Sequence, residues 1–314
     1  MSAPAAGAAG AAGAAGAPSA SGVPALRAKR WLVALDVDGT VMREDGIITD
    51  PVIAAVRDVA DAGHDIMLST GRSASMTTPV LRRLGIRPRF LVCANGAITL
   101  ERVDGSDGPL GAPGVAADAQ ANADDLLDGY RRAFVETFDP TEVLQTIRDE
   151  VSGAAFGVED ETGHYRVHGA FPEDTLNASI DHVEFDDLFG VRACRVVVIS
   201  PDYGLEDFLG VVEQMGLSKV SYNVGWTAWL DIAPEGVTKA TAMERVREVL
   251  DIPRSRVFAA GDGRNDIEML RWASTSGRGV AMGQAPEDVI EAASEYTGPV
   301  LEDGLVDALR TLER

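Results

Sequence analysis

Short apolar runs alternate with amphipathic stretches in the first third of the chain. Residues 31–35 and 90–93 have the continuous apolar character of strands buried in a parallel sheet, and residues 64–68 are expected to form the strand between them. Helices are predicted over residues 51–62 and 73–84; in the first of these, apolar residues recur at helical spacing. This order of strand, helix, strand, helix and strand is typical of a doubly wound parallel sheet of the Rossmann-like kind.

Turn-forming and helix-capping residues set the expected limits of these elements. Asp50 is expected to cap the first helix, with Pro51 at its first position and Gly63 just after its end. The pair Asp45-Gly46 lies between apolar flanks and predicts a small hairpin before that helix.

The alternation breaks after about residue 100. Residues 100–126 are rich in Gly, Asp and Ala and predict a loop without regular structure. Further on, a strand at 195–199 and a helix at 205–215 precede strands at 219–223 and 227–232. These last two strands are joined by a short Gly-containing turn, which predicts an antiparallel hairpin. We interpret this part of the chain as a second, α+β domain.

The α/β alternation resumes at Gly236 and continues to the end of the chain. The predicted elements are, in order, a helix at 238–250, a strand at 256–262, a helix at 265–273, a strand at 278–282 and two short closing helices. We therefore predict an α/β fold in which a doubly wound core, residues 27–100 and 233–314, is interrupted by an inserted α+β cap domain at residues 101–232.

The composition narrows the classes of partner. The chain has 28 Lys and Arg residues against 49 Asp and Glu, which gives a net charge of −21. This charge argues against nucleic acid or an anionic membrane as a partner. A phosphate-bearing ligand must then be received by a local cation.

Other features of the composition indicate a cytoplasmic location. Cys93 and Cys194 both lie in apolar strand-like stretches and are predicted to be buried thiols in a reducing compartment. No run reaches the roughly 18 apolar residues of a membrane span. Residues 1–26 are rich in Ala and Gly and are predicted to form a disordered tail.

Two aspartates, Asp36 and Asp38, follow the buried strand at 31–35 in the sequence Asp-Val-Asp-Gly-Thr. A carboxylate at the end of a buried strand stays ionised only if a positive charge offsets its lost hydration, and Mg²⁺ is the usual ion for oxygen ligands. The stretch is therefore consistent with a metal-bound aspartate at the carboxyl edge of the sheet, where open α/β folds place active sites. Taken alone, a turn with solvated acids explains it equally well.

Three further polar segments follow strands or begin helices. Residues 69–72, Ser-Thr-Gly-Arg, offer a hydroxyl and free N–H groups suited to phosphate, although a capping hydroxyl is the simpler interpretation. Lys239 lies at a helix start, where the helix dipole disfavours a cation; either an anion lies beside it or it is a solvated surface lysine. Asp262 and Asp266 can converge on one cation because Gly263 permits a tight turn, and the alternative is a capped helix start.

Together these segments closely resemble the haloacid dehalogenase superfamily of aspartate-nucleophile phosphatases. The motifs Asp-x-Asp-Gly-Thr, Thr-Gly-Arg and Gly-Asp-x-x-Asn-Asp are specific in combination, and the resemblance covers about residues 30–314. The interruption between the second and third segments resembles the subgroup with a large α+β cap, the C2B-like type. The sequences Ala-Asn-Gly-Ala at Asn95 and Ala-Met-Gly-Gln-Ala-Pro after the last motif resemble its Cof-type branch.

The resemblance implies roles for individual residues. Asp36 would be the nucleophile and a Mg²⁺ ligand, and Asp38 would be the general acid and base, with its backbone carbonyl also on the metal. Asp262 would be the remaining protein ligand of the metal. Asp266 would lie next to these ligands, one shell further from the metal. The groups expected to hold the phosphate oxygens are the Val37 N–H, Thr70, Gly71, Lys239 and Asn265. Candidates for the substrate side are Arg72, Asn95 and Gly96.

The implied function is Mg²⁺-dependent hydrolysis of a small phosphorylated metabolite, a sugar phosphate or a phosphorylated cofactor, through an aspartyl-phosphate intermediate. The alternatives are a phosphomutase of the same superfamily and a catalytically idle binding or regulatory protein. Arg192 and Arg195 could receive a second anionic group of the substrate, although a solvated strand edge explains them equally well. The sequence identifies neither the substrate nor the oligomeric state.

Two other pairs of residues are weaker candidates for a site. His164 and His168 have the spacing of zinc ligands on a helix, but their segment predicts a strand and a loop, with no third ligand nearby. Trp226 and Trp229 could face a ligand from the predicted hairpin, although buried packing is the favoured interpretation.

Overall fold

The computed structural model of the protein describes residues 30–103, 127–171, 179–200, 210–212, 214–215, 217, 220–224 and 229–312. The predicted N-terminal tail, most of the predicted loop at 100–126 and most of the predicted helix at 205–215 lie outside the described residues. Within the described ranges, no helix is both long enough and apolar enough to cross a membrane.

The strands and helices of the core alternate largely as the apolar pattern predicts, whereas several elements between residues 98 and 182 were not predicted. The described strands are β1 (Leu32–Leu35), β2 (Asp65–Leu68), β3 (Phe90–Cys93), β4 (Ile98–Arg102), β5 (Tyr130–Val135), β6 (Ala155–Asp160), β7 (Tyr165–His168), β8 (Ile180–His182), β9 (Ala193–Ile199), β10 (Val220–Val224), β11 (Trp229–Pro234), β12 (Val257–Gly261), β13 (Arg278–Ala281) and β14 (Glu295–Tyr296). The fully described α-helices are α1 (Asp50–Asp61), α2 (Ala74–Leu84), α3 (Thr141–Glu150), α4 (Lys239–Val249), α5 (Ile267–Ser274), α6 (Glu287–Ala292) and α7 (Gly304–Arg310).

A parallel sheet with helices on both faces forms the core, which confirms the predicted Rossmann-like fold. Its strand order is β14-β13-β12-β1-β2. Every residue of β1 is buried, as expected for a strand covered on both sides. Val33 and Leu35 belong to the apolar cluster that includes residues of α1 and α7, whereas Leu32 and Ala34 belong to the cluster that includes residues of α4 and α5. The apolar run of β1 thus supplies both halves of the core.

Three local predictions need correction. The cap of α1 is Thr49, whose hydroxyl accepts from the N–H of Val52, and Asp50 is the first helical residue. The Asp45-Gly46 pair forms a turn in which the N–H of Gly46 donates to the carbonyl of Arg43 at 2.9 Å, but no strands flank it. The predicted helix at 265–273 begins as a 3₁₀ turn at Arg264–Asp266, and α5 follows it.

Strand β3 does not continue the parallel sheet as predicted. It pairs antiparallel with β4, and β4 pairs antiparallel with β5. Its link to the parallel sheet is a single bridge between Ser69 and Val92. The N–H of Thr70 also donates to the carbonyl of Val92 at 2.9 Å, so β3 meets the chain just beyond the end of β2. The tight 3₁₀ turn Ala94–Gly96 reverses the chain directly after β3 and places β4 antiparallel beside it.

The cap contains a six-stranded sheet in the order β10-β11-β9-β6-β7-β8. The predicted antiparallel hairpin is present as β10 and β11. Val143, Leu144 and Ile147 of α3 belong to the apolar cluster formed with Val158 and Val196 of the sheet. The alternate residues of β6, β9 and β11 point to the other face, because successive side chains of a strand alternate. The limits predicted for the two domains remain a prediction.

The register of the core sheet brings three strand ends together. Leu35 is level with Leu68 of β2 and with Ala260 of β12. The chain therefore leaves the sheet at the same edge at Asp36, at Ser69 and directly after Gly261, the last residue of β12. This edge is where parallel α/β sheets form their binding crevices.

Candidate active site

Asp36 lies at the centre of this edge and is almost fully buried, with 4% of its surface exposed. Its backbone N–H donates to the carbonyl of Ala260 at 2.9 Å, which continues the ladder between β1 and β12 by one residue. The backbone then turns sharply: the carbonyl of Val37 accepts from the N–H of Met42 at 2.8 Å. Asp36 is thus held on rigid backbone and aimed into the crevice.

Lys239 is buried between two carboxylates. Its Nζ lies 2.6 Å from Oδ1 of Asp36 and 2.7 Å from Oδ1 of Asp266, and only 1% of the residue is exposed. Burial acts to lower the pKa of Lys239, but the charges of Asp266 and Asp36 outweigh it and raise that pKa. The prediction of an anion beside Lys239 is therefore confirmed by two carboxylates. The alternative, a solvated surface lysine, is wrong.

The first turn of α4 holds Lys239 in this position although the helix dipole opposes a cation there. Thr238 and Thr241 cap the helix reciprocally, each side chain bonding to the backbone of the other. Gly96 packs directly on this cap: its φ is +107°, and a Cβ on it would lie 2.3 Å from the carbonyl oxygen of Thr238. Only glycine fits between the turn after β3 and the start of α4.

Three carboxylates, those of Asp36, Asp262 and Asp266, converge within 4.8 Å of one another and are all buried. Burial, and after it the charge of Asp266, raises the pKa of Asp36 well above its usual range. The same two causes raise the pKa of Asp262 to about 7. Lys239 supplies one positive charge against three negative ones, so the cluster lacks positive charge. This donor set fits a divalent cation with oxygen ligands.

Asp262 and Asp266 have different surroundings. Asp266 accepts from the backbone N–H groups of Asp262 and Gly263, both at 3.0 Å, and from Lys239, so its oxygens are engaged by the protein. Asp262 accepts from Thr40 at 3.2 Å and from Gln284 at 3.1 Å. The Asp266 carboxylate therefore shapes the loop, and the Asp262 carboxylate is the one better placed to bind an ion together with Asp36.

Asp38 points away from this cluster, and its side chain is 55% exposed. Arg72 holds its carboxylate with two hydrogen bonds, from Nε at 2.7 Å and from Nη2 at 2.5 Å. Thr70 is 1% exposed, and its hydroxyl accepts from the N–H of Arg72 at 3.1 Å. Thr70 therefore stabilises the loop through a local bond to its backbone, but it does not cap the helix: the cap residue of α2 is Ser73, whose side chain makes no capping bond.

Asn95 links the core site to the cap. Its backbone N–H donates to the carbonyl of Thr70 at 3.1 Å, and its Oδ1 accepts from Nδ2 of Asn265 at 3.0 Å. Its Nδ2 donates to Oδ2 of Asp231, on cap strand β11, at 2.9 Å. Arg195, on β9, donates two hydrogen bonds to the same Asp231 carboxylate, from Nε at 2.7 Å and from Nη2 at 2.8 Å. Asn95 thus ties the two loops expected to hold phosphate to the sheet of the cap.

Several of these partners were missed by the sequence interpretation. Arg195 is only 5% exposed and is neither a solvated strand edge nor free to receive an anion, because Asp231 occupies its guanidinium. Arg192 is exposed and pairs with Glu161. Gln284 was not singled out, although it donates to both Asp262 and the carbonyl of Gly39. A polar residue shortly after β13, at the same sheet edge, was the available signal.

The remaining candidates have structural surroundings. His164 pairs with Asp181 at 3.0 Å, and His168, the last residue of β7, contacts the carbonyl of Val183. Trp229 packs edge-on against Phe171, in agreement with buried packing, and Trp226 lies outside the described residues. The two cysteines are buried and free.

The fold and the arrangement of carboxylates, lysine and glycine turns define a carboxylate-rich site at the carboxyl edge of a parallel sheet, suited to binding a cation and a phosphate. A family model described as haloacid dehalogenase-like hydrolase matches residues 33–107 and 168–309. The chain belongs to this family.

Known proteins match the chain over most of its length. It is 24% identical to the 5-amino-6-(5-phospho-D-ribitylamino)uracil phosphatase YitU of Bacillus subtilis, over 91% of this chain and 98% of the relative. It is 27% identical to the HMP-PP phosphatase of Yersinia pseudotuberculosis, over 81% and 84%. The solved subclass IIB sugar phosphatase BT4131 superposes with a TM-score of 0.68 at 20% identity, over 90% and 99%. The chain is an enzyme of the same class, a phosphatase, with the Cof-type architecture of core and cap.

Replacing Lys239 with methionine tests whether its charge holds the site together. The variant leaves Asp36 and Asp266 buried without their cation, so we expect Lys239→Met to lower the free energy of unfolding by about 3–5 kcal/mol. The measurement is urea unfolding in metal-free buffer at pH 8. The control is Arg245→Met on the same helix, which removes a partly exposed pair with Glu136 and should cost at most about 1 kcal/mol. Equal losses in the two variants would contradict the account.

Proposed function

We propose that the protein is a Mg²⁺-dependent phosphatase that hydrolyses a small phosphorylated metabolite through a phosphoryl group carried on Asp36. The observation that carries the proposal is the buried Asp36 carboxylate, held on rigid backbone between Lys239 and Asp262. A nucleophile in such a place could approach an anionic phosphate once a divalent cation adds its charge to that of Lys239, because the two together offset the repulsion. The family to which the chain belongs supports the same chemistry.

In this mechanism Asp36 is the nucleophile, and Asp38 is the general acid and then the general base. An oxygen of Asp36 attacks phosphorus as the bond from phosphorus to the substrate oxygen breaks, and Asp38 gives that oxygen a proton. A water molecule, deprotonated by Asp38, then attacks the phosphorus and releases inorganic phosphate, which restores Asp36. The exposed position of Asp38 suits both steps, since its carboxyl group must reach the leaving oxygen in the first step and an incoming water in the second.

Arg72 connects phosphate binding to Asp38. Its guanidinium holds the Asp38 carboxylate before substrate arrives. A phosphate dianion is a competing partner for the same guanidinium, so binding can release Asp38 for its proton transfers. The other groups proposed to hold the phosphate oxygens are the N–H of Val37, Thr70, Gly71, Lys239 and Asn265.

The residues that would hold Mg²⁺ are Asp36, Asp262 and the backbone carbonyl of Asp38, with Asp266 positioning the Asp262 loop through its two backbone hydrogen bonds. When bound, the ion neutralises charge on the transferring phosphoryl group and orients it. Gly39 allows Asp262 to come close: a Cβ at this position, where φ is +78°, would lie 2.1 Å from Oδ2 of Asp262.

The substrate class rests on the relatives and on the cap. Two relatives act, by their names, on a phosphorylated ribityl compound and on HMP-PP, so we propose a sugar phosphate or a phosphorylated cofactor for this chain. The cap lies over the site through the contact between Asn95 and Asp231. A cap in this place can exclude water and recognise the non-phosphate part of the substrate.

A panel of phosphorylated metabolites tests the proposed function. The wild-type enzyme is expected to release stoichiometric inorganic phosphate from at least one sugar phosphate or phosphorylated cofactor in the presence of Mg²⁺. Asp36→Asn should lower kcat at least about 10³-fold, because an amide is not a nucleophile. The measurement is phosphate release, with Asp45→Asn, a change in an exposed turn, as the matched control. Isomerised product without phosphate release would identify a mutase, and an active Asp36→Asn protein would contradict the mechanism.

Thermal unfolding tests the metal site without activity. Because the folded-state pKa of Asp262 is raised to about 7, this group contributes less to stability as pH rises from about 4 to 7 in the metal-free protein. Mg²⁺ favours the ionised carboxylates, so its addition should raise the melting temperature more at pH 8 than at pH 5. We expect a rise of at least about 2 °C at pH 8, which corresponds to roughly 1 kcal/mol in a protein of this size.

The matched variant for this experiment is Asp262→Asn. Removing one of the crowded charges should raise the melting temperature of the metal-free protein at pH 8 and abolish most of the Mg²⁺ effect. A Mg²⁺ effect that is the same at both pH values, or that survives in Asp262→Asn, would show that the cluster does not bind the ion.

A further inference from the structure

Asp231 is a buried acid of the cap to which the proposed mechanism gives no role. It lies on β11 opposite Val197 of β9, on the same face of the sheet as Arg195, and is 8% exposed. Arg195 donates from Nε to Oδ1 at 2.7 Å and from Nη2 to Oδ2 at 2.8 Å, so both carboxylate oxygens are fixed. A buried ion pair adds little net stability over an apolar pair of similar shape. Stability alone therefore does not account for an acid at this position.

The Asp231 carboxylate determines which way the amide of Asn95 faces. Its Oδ2 accepts from Nδ2 of Asn95 at 2.9 Å. A carboxylate paired with a guanidinium has no hydrogen to donate, so the amide must turn its NH₂ group toward the cap. The Oδ1 atom of Asn95 then faces the opposite way, into the core.

The orientation of Asn95 in turn determines that of Asn265. Oδ1 of Asn95 accepts from Nδ2 of Asn265 at 3.0 Å, so Asn265 also has to turn its NH₂ group toward its partner. Nδ2 of Asn265 lies 3.5 Å from the place that a Cβ on Gly71 would occupy, whereas its Oδ1 lies 2.5 Å from the corresponding place on Gly263. A donor of Asn265 therefore faces the loop at 69–72, which is proposed to hold phosphate. The reversed amide would turn an oxygen toward that loop and repel a phosphate.

The backbone of Asn95 is already fixed to the same loop. Ala94 and Asn95 have φ of +48° and +52°, a left-handed conformation that costs free energy without glycine and persists only where the surroundings hold it. The N–H of Ala94 donates to the carbonyl of Arg72 at 2.8 Å, and that of Asn95 to the carbonyl of Thr70 at 3.1 Å. The orientation of the side-chain amide is then the freedom that Asp231 removes.

We propose that Asp231 is a positioning residue for phosphate binding: its carboxylate fixes the amide of Asn95 and, through it, the amide of Asn265, so that Asn265 offers an N–H to the phosphate. The inference rests on the proposed phosphatase function and adds to it a residue of the cap that touches neither phosphate nor metal. Arg195 supports Asp231 from the neighbouring strand.

Equilibrium binding of inorganic phosphate in the presence of Mg²⁺ tests the proposal. Asp231→Asn keeps the shape of the side chain but replaces one acceptor with a donor, so the two asparagine amides are no longer held in one orientation. We expect the Kd for phosphate to rise about 5–10-fold. Loss of a negative charge would by itself strengthen phosphate binding, so the direction of the change separates positioning from electrostatics.

A double-mutant cycle tests whether Asp231 acts through Asn265. Asn265→Ala should itself weaken phosphate binding. Adding Asp231→Asn to Asn265→Ala should then change the Kd by less than about 2-fold, because the group through which Asp231 acts has been removed. Losses that add in full would overturn the proposal.

Tyr165→Phe is the control for a merely structural role. It removes a hydroxyl that donates to Glu159 at 2.6 Å and accepts from Arg195 at 3.3 Å in the same buried network. The bond between Asp231 and Asn95 remains. We expect a lower melting temperature but a phosphate Kd within about 2-fold of the wild-type value.

A second variant, Asn95→Gly, keeps the proposal testable if Asp231→Asn fails to fold. Glycine accepts the left-handed backbone at this position, and Asp231 stays paired with Arg195. The variant removes the amide that connects Asp231 to Asn265. It should weaken phosphate binding to a similar extent, and it too should have little further effect when combined with Asn265→Ala.

The outcomes distinguish this inference from the function on which it rests. A wild-type enzyme that binds phosphate and hydrolyses p-nitrophenyl phosphate, with unchanged phosphate binding in Asp231→Asn and Asn95→Gly, would overturn the inference and leave the phosphatase function standing. A loss in Tyr165→Phe as large as that in Asp231→Asn would also overturn it. A wild-type protein that hydrolyses no phosphomonoester would overturn the proposed function itself.

Discussion

The structure depends on the burial of Lys239 between the carboxylates of Asp36 and Asp266. Three acids brought within 4.8 Å of one another in a buried place repel each other strongly, and one lysine offsets only part of this repulsion. The unbalanced charge makes the site receptive to a divalent cation and, through it, to a phosphate. The repulsion among these acids therefore lowers the free energy of unfolding at the position where the proposed chemistry needs charge.

The other elements of the core position Lys239 and its two carboxylate partners relative to one another. Parallel pairing in register delivers Asp36 and the Asp262 loop to one sheet edge, and the capped start of α4 delivers Lys239 from the side. Gly96 lets the turn after β3 pack directly on that start. The same turn carries Asn95, whose amide reaches the cap, so the positions of core loops and cap are coupled through one side chain.

The apolar pattern predicted most of the core because a strand buried on both faces and an amphipathic helix leave strong local signals. The acids at strand ends and the anion beside Lys239 could be predicted for the same reason, since each follows from the elements around it. The contact of Asn95 with Asp231 could not, because its partners lie 136 residues apart in different domains. The antiparallel partner of β3 was not predicted, because no strand was predicted after the turn Ala94–Gly96. The burial of Arg195 was not predicted because alternation along a strand does not reveal which face meets the core.

The proposed chemistry depends on Asp36 receiving the phosphoryl group, and trapping phosphorylated Asp36 tests this most directly. Acetyl phosphate carries a leaving group that needs little protonation, so an Asp38→Asn enzyme should still transfer phosphate to Asp36 but hydrolyse the product slowly for lack of a base. After acid quenching, mass spectrometry of the peptide that contains Asp36 should detect one added phosphoryl group, which hydroxylamine removes. Turnover of acetyl phosphate with the phosphoryl group absent from Asp36, or present on another residue, would contradict the claim.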